Sequence, residues 1–152
     1  MTPEERLAEL GLSVPEVAKP VAVYVPAVRS GAHIYTSGQL PMRDGELMMT
    51  GKVGAEVSSE QAVECARQCA LNAIAAVRAE VGELSAVVRV VKVVVFVACA
   101  PDFTGQPGIA NGASELLGDV FGDAGRHARS AVGVPVLPLD APVEVEMTVE
   151  VS

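Results

Sequence analysis

Arg129 and Glu144 stand fifteen residues apart near the C-terminus, and their types suit the handling of a small organic acid. A guanidinium presents a planar fork of donors that grips a carboxylate through two parallel hydrogen bonds, and it stays charged at any physiological pH. A cation and an anion at one sheet edge suit a small-acid site. The stretch that carries both, RSAVGVPVLPLDAPVEVEMTVE from Arg129 to Glu150, reads as two β-strands joined by a turn. In the second strand Val143, Val145, Met147, Val149 and Val151 alternate with Glu144, Glu146, Thr148 and Glu150, the period of a sheet packed on one face. Pro138 and Pro142 cannot donate to a ladder and mark a turn or an edge. Pairing of these two strands would bring Arg129 and Glu144 to one end of the sheet. Taken alone, the same residues also suit a surface arginine and a solvated acidic face.

Other chemistry-bearing residues read as structural. His33 and His127 each lack a carboxylate or second histidine at ligand spacing, and His127 is notable only for standing two residues before Arg129. Cys65 and Cys69 are four apart on a predicted helix, without a further Cys or His at metal-ligand spacing, so they read as small buried side chains. No metal and no organic cofactor is expected. An odd total of three cysteines fits free thiols in a reducing compartment.

The elements that must position Arg129 and Glu144 follow from the rest of the chain. Residues 2–11 predict a short helix, with Thr2 as cap, Pro3 at the first position, Glu5 completing a capping box, Leu7 and Leu10 as the apolar face and Gly11 as the stop. We expect residues 1–18 to be a helical extension and residues 19–152 a single domain. Past the connector at Pro15 and Pro20, an apolar segment over Val21–Val28 holds Tyr24, then a turn at Arg29-Ser30-Gly31 leads to a strand over His33–Ser37. Arg43-Asp44-Gly45-Glu46 predicts a further turn. A long helix should run from a cap at Ser58 or Ser59 to Gly82, because Val63, Ala66, Ala70, Ala73, Ile74, Val77 and Val81 recur at three- and four-residue spacing. Val87–Ala100 reads as a central strand, apolar on both faces, and a loop over Pro101–Gly108 precedes a second helix bearing Ile109, Ala113, Leu116, Leu117, Val120 and Phe121. The fold class is therefore α+β, one mixed sheet with two main helices on a single face. The other sheet face lacks a cover within the chain, which implies a subunit interface.

Composition narrows the function classes. A hydrophobic fraction of 50% over 152 residues supplies one compact core. A net charge of −8 argues against a surface that tracks phosphates, and 3% aromatics with no Trp leaves few platforms for stacking bases, so nucleic acid is not an expected partner. The longest apolar run, Val87–Ala100, is too short for a membrane span and carries Arg89 and Lys92, so no membrane association is expected and the cytoplasm is the default location.

Three motifs in order, Tyr35-Thr36-Ser37-Gly38-Gln39-Leu40-Pro41, Phe96-Val97 followed by Asp102-Phe103, and the Arg129 to Glu146 stretch with Leu137-Pro138, resemble the RidA/YjgF family of imine deaminases, also known under an endoribonuclease label. The resemblance runs from about Tyr24 to Val151. It implies a chorismate-mutase-like fold assembled as a homotrimer, with active sites in clefts between subunits. It further implies that Arg129 binds the carboxylate of an imino acid such as 2-iminopropionate, and that Glu144 holds the attacking water, the products being a 2-keto acid and ammonium. Tyr24, thirteen residues before Ser37, would line the cleft across the interface, Ser37 would help shape it, and the backbone amide near Ala131 would bind substrate. The chain departs from the family pattern at Ala131, where the best-known deaminases carry cysteine, at Ala22-Val23 in place of Gly-Pro, and in a longer loop around Gly105–Gly108. The alternatives are a carboxylate-binding trimer without turnover, regulatory or chaperone-like in role, and a ribonuclease, which the acidity disfavours.

Overall fold

The computed structural model describes residues 1–19 and 22–152. In chain order its elements are α1 (Pro3–Glu9), β1 (Ala27–Ser30), β2 (His33–Thr36), β3 (Met42–Arg43), β4 (Glu46–Leu47), α2 (Ser59–Val81), β5 (Val87–Ala98), α3 (Gln106–Phe121), β6 (Ala128–Val134) and β7 (Val143–Val151). Five strands make one mixed sheet in the order β1-β2-β7-β5-β6, and β3-β4 is a separate hairpin. Helices α2 and α3 share a core with one face of that sheet, the α+β arrangement expected from the sequence.

Local chemistry explains most boundaries. Thr2 Oγ1 accepts from the Glu5 amide at 3.1 Å and Glu5 Oε2 accepts from the Thr2 amide at 2.7 Å, the expected capping box of α1. Leu7 is buried, but α1 stops at Glu9, so Leu10 turns outward instead of joining the apolar face. Ser58 caps α2 with Gln61 as its reciprocal partner, and Gly82, at φ +82°, ends it. Asp44 and Gly45 both take positive φ between β3 and β4, as a tight hairpin requires.

The expected segment over Val21–Val28 is mostly not a strand. β1 begins at Ala27, Arg29 and Ser30 lie within it, and the turn falls at Gly31-Ala32. Val21 and Pro20 lie outside the described residues.

Two larger corrections concern the sheet. β6 and β7 do not pair with each other, as a simple hairpin reading required; β5 lies between them, parallel to β6 and antiparallel to β7. Nor is β5 uniformly apolar on two faces. Its register against β7 shifts between Val87 and Arg89 and again between Val90 and Lys92, so bulges keep Val87, Val90, Val93, Val95 and Val97 buried toward the helices. The second face carries Lys92, Val94 and Phe96 only partly buried, with Val28 (52%), Tyr35 (49%) and Val132 (43%) exposed near them. A small cluster of Leu40, Ala98, Leu137 and Ala141 closes one end of it. Among the described residues, no helix is long and apolar enough to cross a membrane.

Candidate functional site

Three of the five expected site residues meet on the second sheet face. Tyr24, Ser37 and Glu144 line a cleft of about 370 Å³ together with Gly38, Leu40 and Pro138. A local irregularity makes it. β2 pairs with β7 as far as Tyr35 opposite Thr148, and contact resumes only at Gln39 opposite Val145, so three residues oppose two. The Met147 amide that this leaves without a ladder partner donates to Thr36 Oγ1 at 3.0 Å, which stabilises the bulge.

The bulge carries Ser37 and Gly38 out over Glu144. A Cβ on Gly38 would lie 2.5 Å from Glu144 Oε1, so a larger residue there would push the carboxylate from this position. Ser37 donates through Oγ to the Val25 carbonyl at 2.5 Å, and its amide donates to the Pro26 carbonyl at 2.8 Å. These bonds fasten the segment that carries Tyr24 beside the cleft. Burial pushes the Glu144 carboxyl above the usual carboxylate range, and Glu146, two residues along the same face, adds repulsion in the same direction. A carboxylate raised in this way is a better proton acceptor than an ordinary glutamate.

Arg129 and Ala131 lie on the other face. Arg129 is opposite Val93 and Glu144 is opposite Phe96 along β5, an odd separation, and side chains alternate between faces along a strand. The two residues therefore do not converge within one chain, contrary to the hairpin expectation. Arg129 instead reaches α3: Nη1 donates to Asn111 Oδ1 at 2.8 Å and to Ser114 Oγ at 3.1 Å, and Nη2 donates to the Pro107 carbonyl at 3.3 Å. Every one of these acceptors is uncharged, and among the described residues the one ion pair joins Lys52 to Asp140. No carboxylate compensates the guanidinium, and among the described residues its Nε–H has no acceptor, so this side of the group is left to meet an anion.

Sequence reasoning missed Asn111, Ser114 and Gly38, and it set His127 aside. Asn111 and Ser114 stand three apart, hence on one side of a helix, but nothing local links that side to Arg129. His127 Nε2 lies 2.8 Å from Ser114 Oγ, and its Nδ1 lies 2.6 Å from the Gly125 carbonyl. His33 is half-buried beside Tyr35. A larger cavity of about 840 Å³ lies beyond Ala131 on β6, lined in part by Gly133, Gln106, Cys99 and Phe103, and holds none of the five expected residues.

Among the described residues, no group of three or more His, Cys, Asp or Glu side chains is placed to hold a metal ion. Cys65 and Cys69 are buried, as expected; burial pushes the Cys65 thiol up to about 11 and Cys69 well above its ordinary value, which leaves both poorly nucleophilic.

A mixed sheet with two helices on one face is the chorismate-mutase-like architecture, and the chain belongs to the family described as "YjgF/chorismate_mutase-like, putative endoribonuclease", which it matches over residues 4–151. It is 46% identical over 147 residues to Protein TCP17 of Trypanosoma cruzi, covering 96% of this chain and 92% of that protein. It is 34% identical over 143 residues to a 2-iminobutanoate/2-iminopropanoate deaminase of Dermatophagoides farinae, covering 93% and 95%. A crystal structure of a "putative endoribonuclease" from Shewanella oneidensis superposes with a TM-score of 0.96 at 35% identity, covering 99% of this chain and all 100% of that one.

Proposed function

We propose that the protein hydrolyses small 2-imino acids to 2-keto acids and ammonium in the cytosol, at sites formed between copies of the chain. The observation that carries this reading is the pairing of an arginine held only by neutral acceptors with a glutamate whose carboxyl is raised by burial. Because the two lie on opposite faces of one sheet, Arg129 of one copy would work with Glu144 of the next, in a trimer whose exposed sheet faces meet. The deaminase name of the Dermatophagoides farinae relative supports the same chemistry.

In the reaction the Arg129 fork takes the substrate carboxylate and so fixes the imine carbon, supplying orientation to a bond that is already electrophilic. Glu144 accepts a proton from water as its oxygen adds to that carbon. The C=N electron pair moves to nitrogen, and the resulting carbinolamine expels ammonia as its hydroxyl becomes the keto oxygen. The proton taken by Glu144 passes to nitrogen as the carbinolamine forms, and the hydroxyl proton follows it by way of Glu144 as the C–N bond breaks, so imine and water give keto acid and ammonia, which solvent protonates to ammonium. The chemistry calls for no metal or organic cofactor. Tyr24 and Ser37 form the wall of the glutamate cleft, and the backbone amide near Ala131 would bind the substrate beside Arg129.

The test is keto-acid release from 2-iminopropanoate generated in situ by an amino-acid oxidase. The wild-type protein should accelerate release, while Arg129→Ala should lower kcat/KM by roughly 100-fold or more and Glu144→Gln should act chiefly on kcat. Absence of acceleration with this and larger imines, alongside measurable keto-acid binding, would instead establish carboxylate binding without turnover.

A further inference from the structure

Arg129 is held through a chain of hydrogen bonds that ends on the backbone. The Gly125 carbonyl can only accept, so the 2.6 Å contact with His127 Nδ1 requires a hydrogen on Nδ1. In the neutral ring this leaves a lone pair on Nε2, which faces Ser114 Oγ at 2.8 Å. The Ser114 hydroxyl must then donate to Nε2, and its oxygen is turned with a lone pair toward Arg129 Nη1, 3.1 Å away. Each donor and acceptor in the series has one role compatible with its neighbours. A doubly protonated ring would instead make Ser114 Oγ accept from two cations at once.

The elements explain why the three meet. Ser114 lies in the middle of α3, His127 sits on the short connection from α3 to β6, and Arg129 enters β6 two residues later. A Cβ on Gly125 would fall 2.3 Å from the Leu117 carbonyl, so glycine lets this connection fold tightly against α3 and aim its carbonyl at the ring. With Asn111 and the Pro107 carbonyl, Ser114 completes a cradle of three acceptors on the terminal nitrogens Nη1 and Nη2, while among the described residues Nε has no acceptor.

We propose that Ser114 and His127 are positioning residues for Arg129: His127 orients the serine hydroxyl, and the serine oxygen holds the guanidinium so that its open edge receives the substrate carboxylate. This rests on the reading of Arg129 as the carboxylate-binding group. Neither residue touches substrate, and the carboxylate is gripped equally in ground and transition states. Their loss therefore acts on binding rather than on the chemical step.

Two measurements on the full-length protein separate this proposal from the reading beneath it. The first is nitrogen-15 NMR of the ligand-free protein. The His127 ring should show the neutral Nδ1–H form at pH 7.5, and the Arg129 guanidinium should give resolved, slowly rotating Nη signals that merge in Ser114→Ala and His127→Phe. The second is affinity for 2-oxobutanoate together with imine turnover. Ser114→Ala should weaken binding and raise KM roughly 3- to 10-fold with kcat within about twofold of wild type, while Ser114→Thr and His127→Gln, which keep the hydroxyl and an acceptor, should recover most of the loss. Ser114→Ala suits a helix interior, so its result stands even where His127→Phe fails to fold. An Nε2–H or doubly protonated ring, or unchanged guanidinium signals in Ser114→Ala, would overturn the proposal. If the signals merge as expected while the wild type neither binds 2-oxobutanoate nor turns over imines, the positioning chain stands and the deaminase reading falls.

Discussion

Glu144 occupies a position that is useful and costly at once. Burial against Gly38, with Glu146 nearby, holds its carboxyl above the usual range, so its proton is bound more tightly in the folded chain than in the unfolded one. Such a group costs nothing below the unfolded value, and stability is lost as pH rises through the carboxylate range toward the raised one. Glu144→Gln keeps the shape and removes the titration. Its Tm should match wild type near pH 4 and exceed it by roughly 1–3 °C at pH 7, in a thermal scan across pH. A gap that widens toward low pH would mean that the carboxylate is stabilised in the fold, and would remove the physical basis for its role as a base.

At the scale of elements, the site depends on how closely α3 can approach both α2 and the sheet edge. A Cβ on Gly112 would lie 2.2 Å from the Val63 carbonyl of α2, so the two helices cross in backbone contact at that point. That approach fixes the depth of α3, and with it the reach of Asn111 and Ser114 to Arg129. Gly112→Ala has to separate the helices, and the strain outweighs the gain in helix propensity; we expect a loss of about 1–3 kcal/mol in chemical denaturation. Gly118, in the same helix, has no atom within 4 Å of the position a Cβ would take. Gly118→Ala should therefore stabilise by about 0.5–1 kcal/mol, the propensity gain alone. Equal effects of the two substitutions would contradict the close crossing.

At the scale of the whole molecule, the placement of Arg129 and Glu144 on opposite sheet faces gives a direct test of a site shared between copies. Arg129→Ala and Glu144→Gln should each be inactive alone. Unfolded together at equal concentration and refolded, they should assemble randomly. In a ring where each site takes its arginine from one copy and its glutamate from the next, roughly a quarter of the sites regain both residues, and roughly a quarter of wild-type imine turnover should return. A mixture as inactive as its components would place both residues in one copy's site or remove one of them from catalysis. The partly exposed Val28, Tyr35 and Val132 on the second sheet face are the surface such an assembly would cover.

What the sequence alone determined is what short-range chemistry encodes. The capping boxes at Thr2 and Ser58, the Asp44-Gly45 hairpin and the strict alternation of β7 are each decided by residues within a few positions of one another, and each is found in the fold. The motifs around Ser37, Arg129 and Glu144 were legible for the same reason, whereas the lining of one cleft by Tyr24, Ser37 and Glu144 of the same chain was read only from the fold. Tertiary structure alone decided the rest. The insertion of β5 between β6 and β7 is a pairing over tens of residues that no local pattern specifies, and it turns an apparent hairpin into two strands whose key residues face opposite ways. Bulges at β5 shift the face count, because one extra residue reverses every side chain beyond it. The contact of Arg129 with Asn111, Ser114 and, through Ser114, His127 exists because α3 packs against the sheet edge, and helix packing depends on the shape of the whole core rather than on the spacing of any three polar residues.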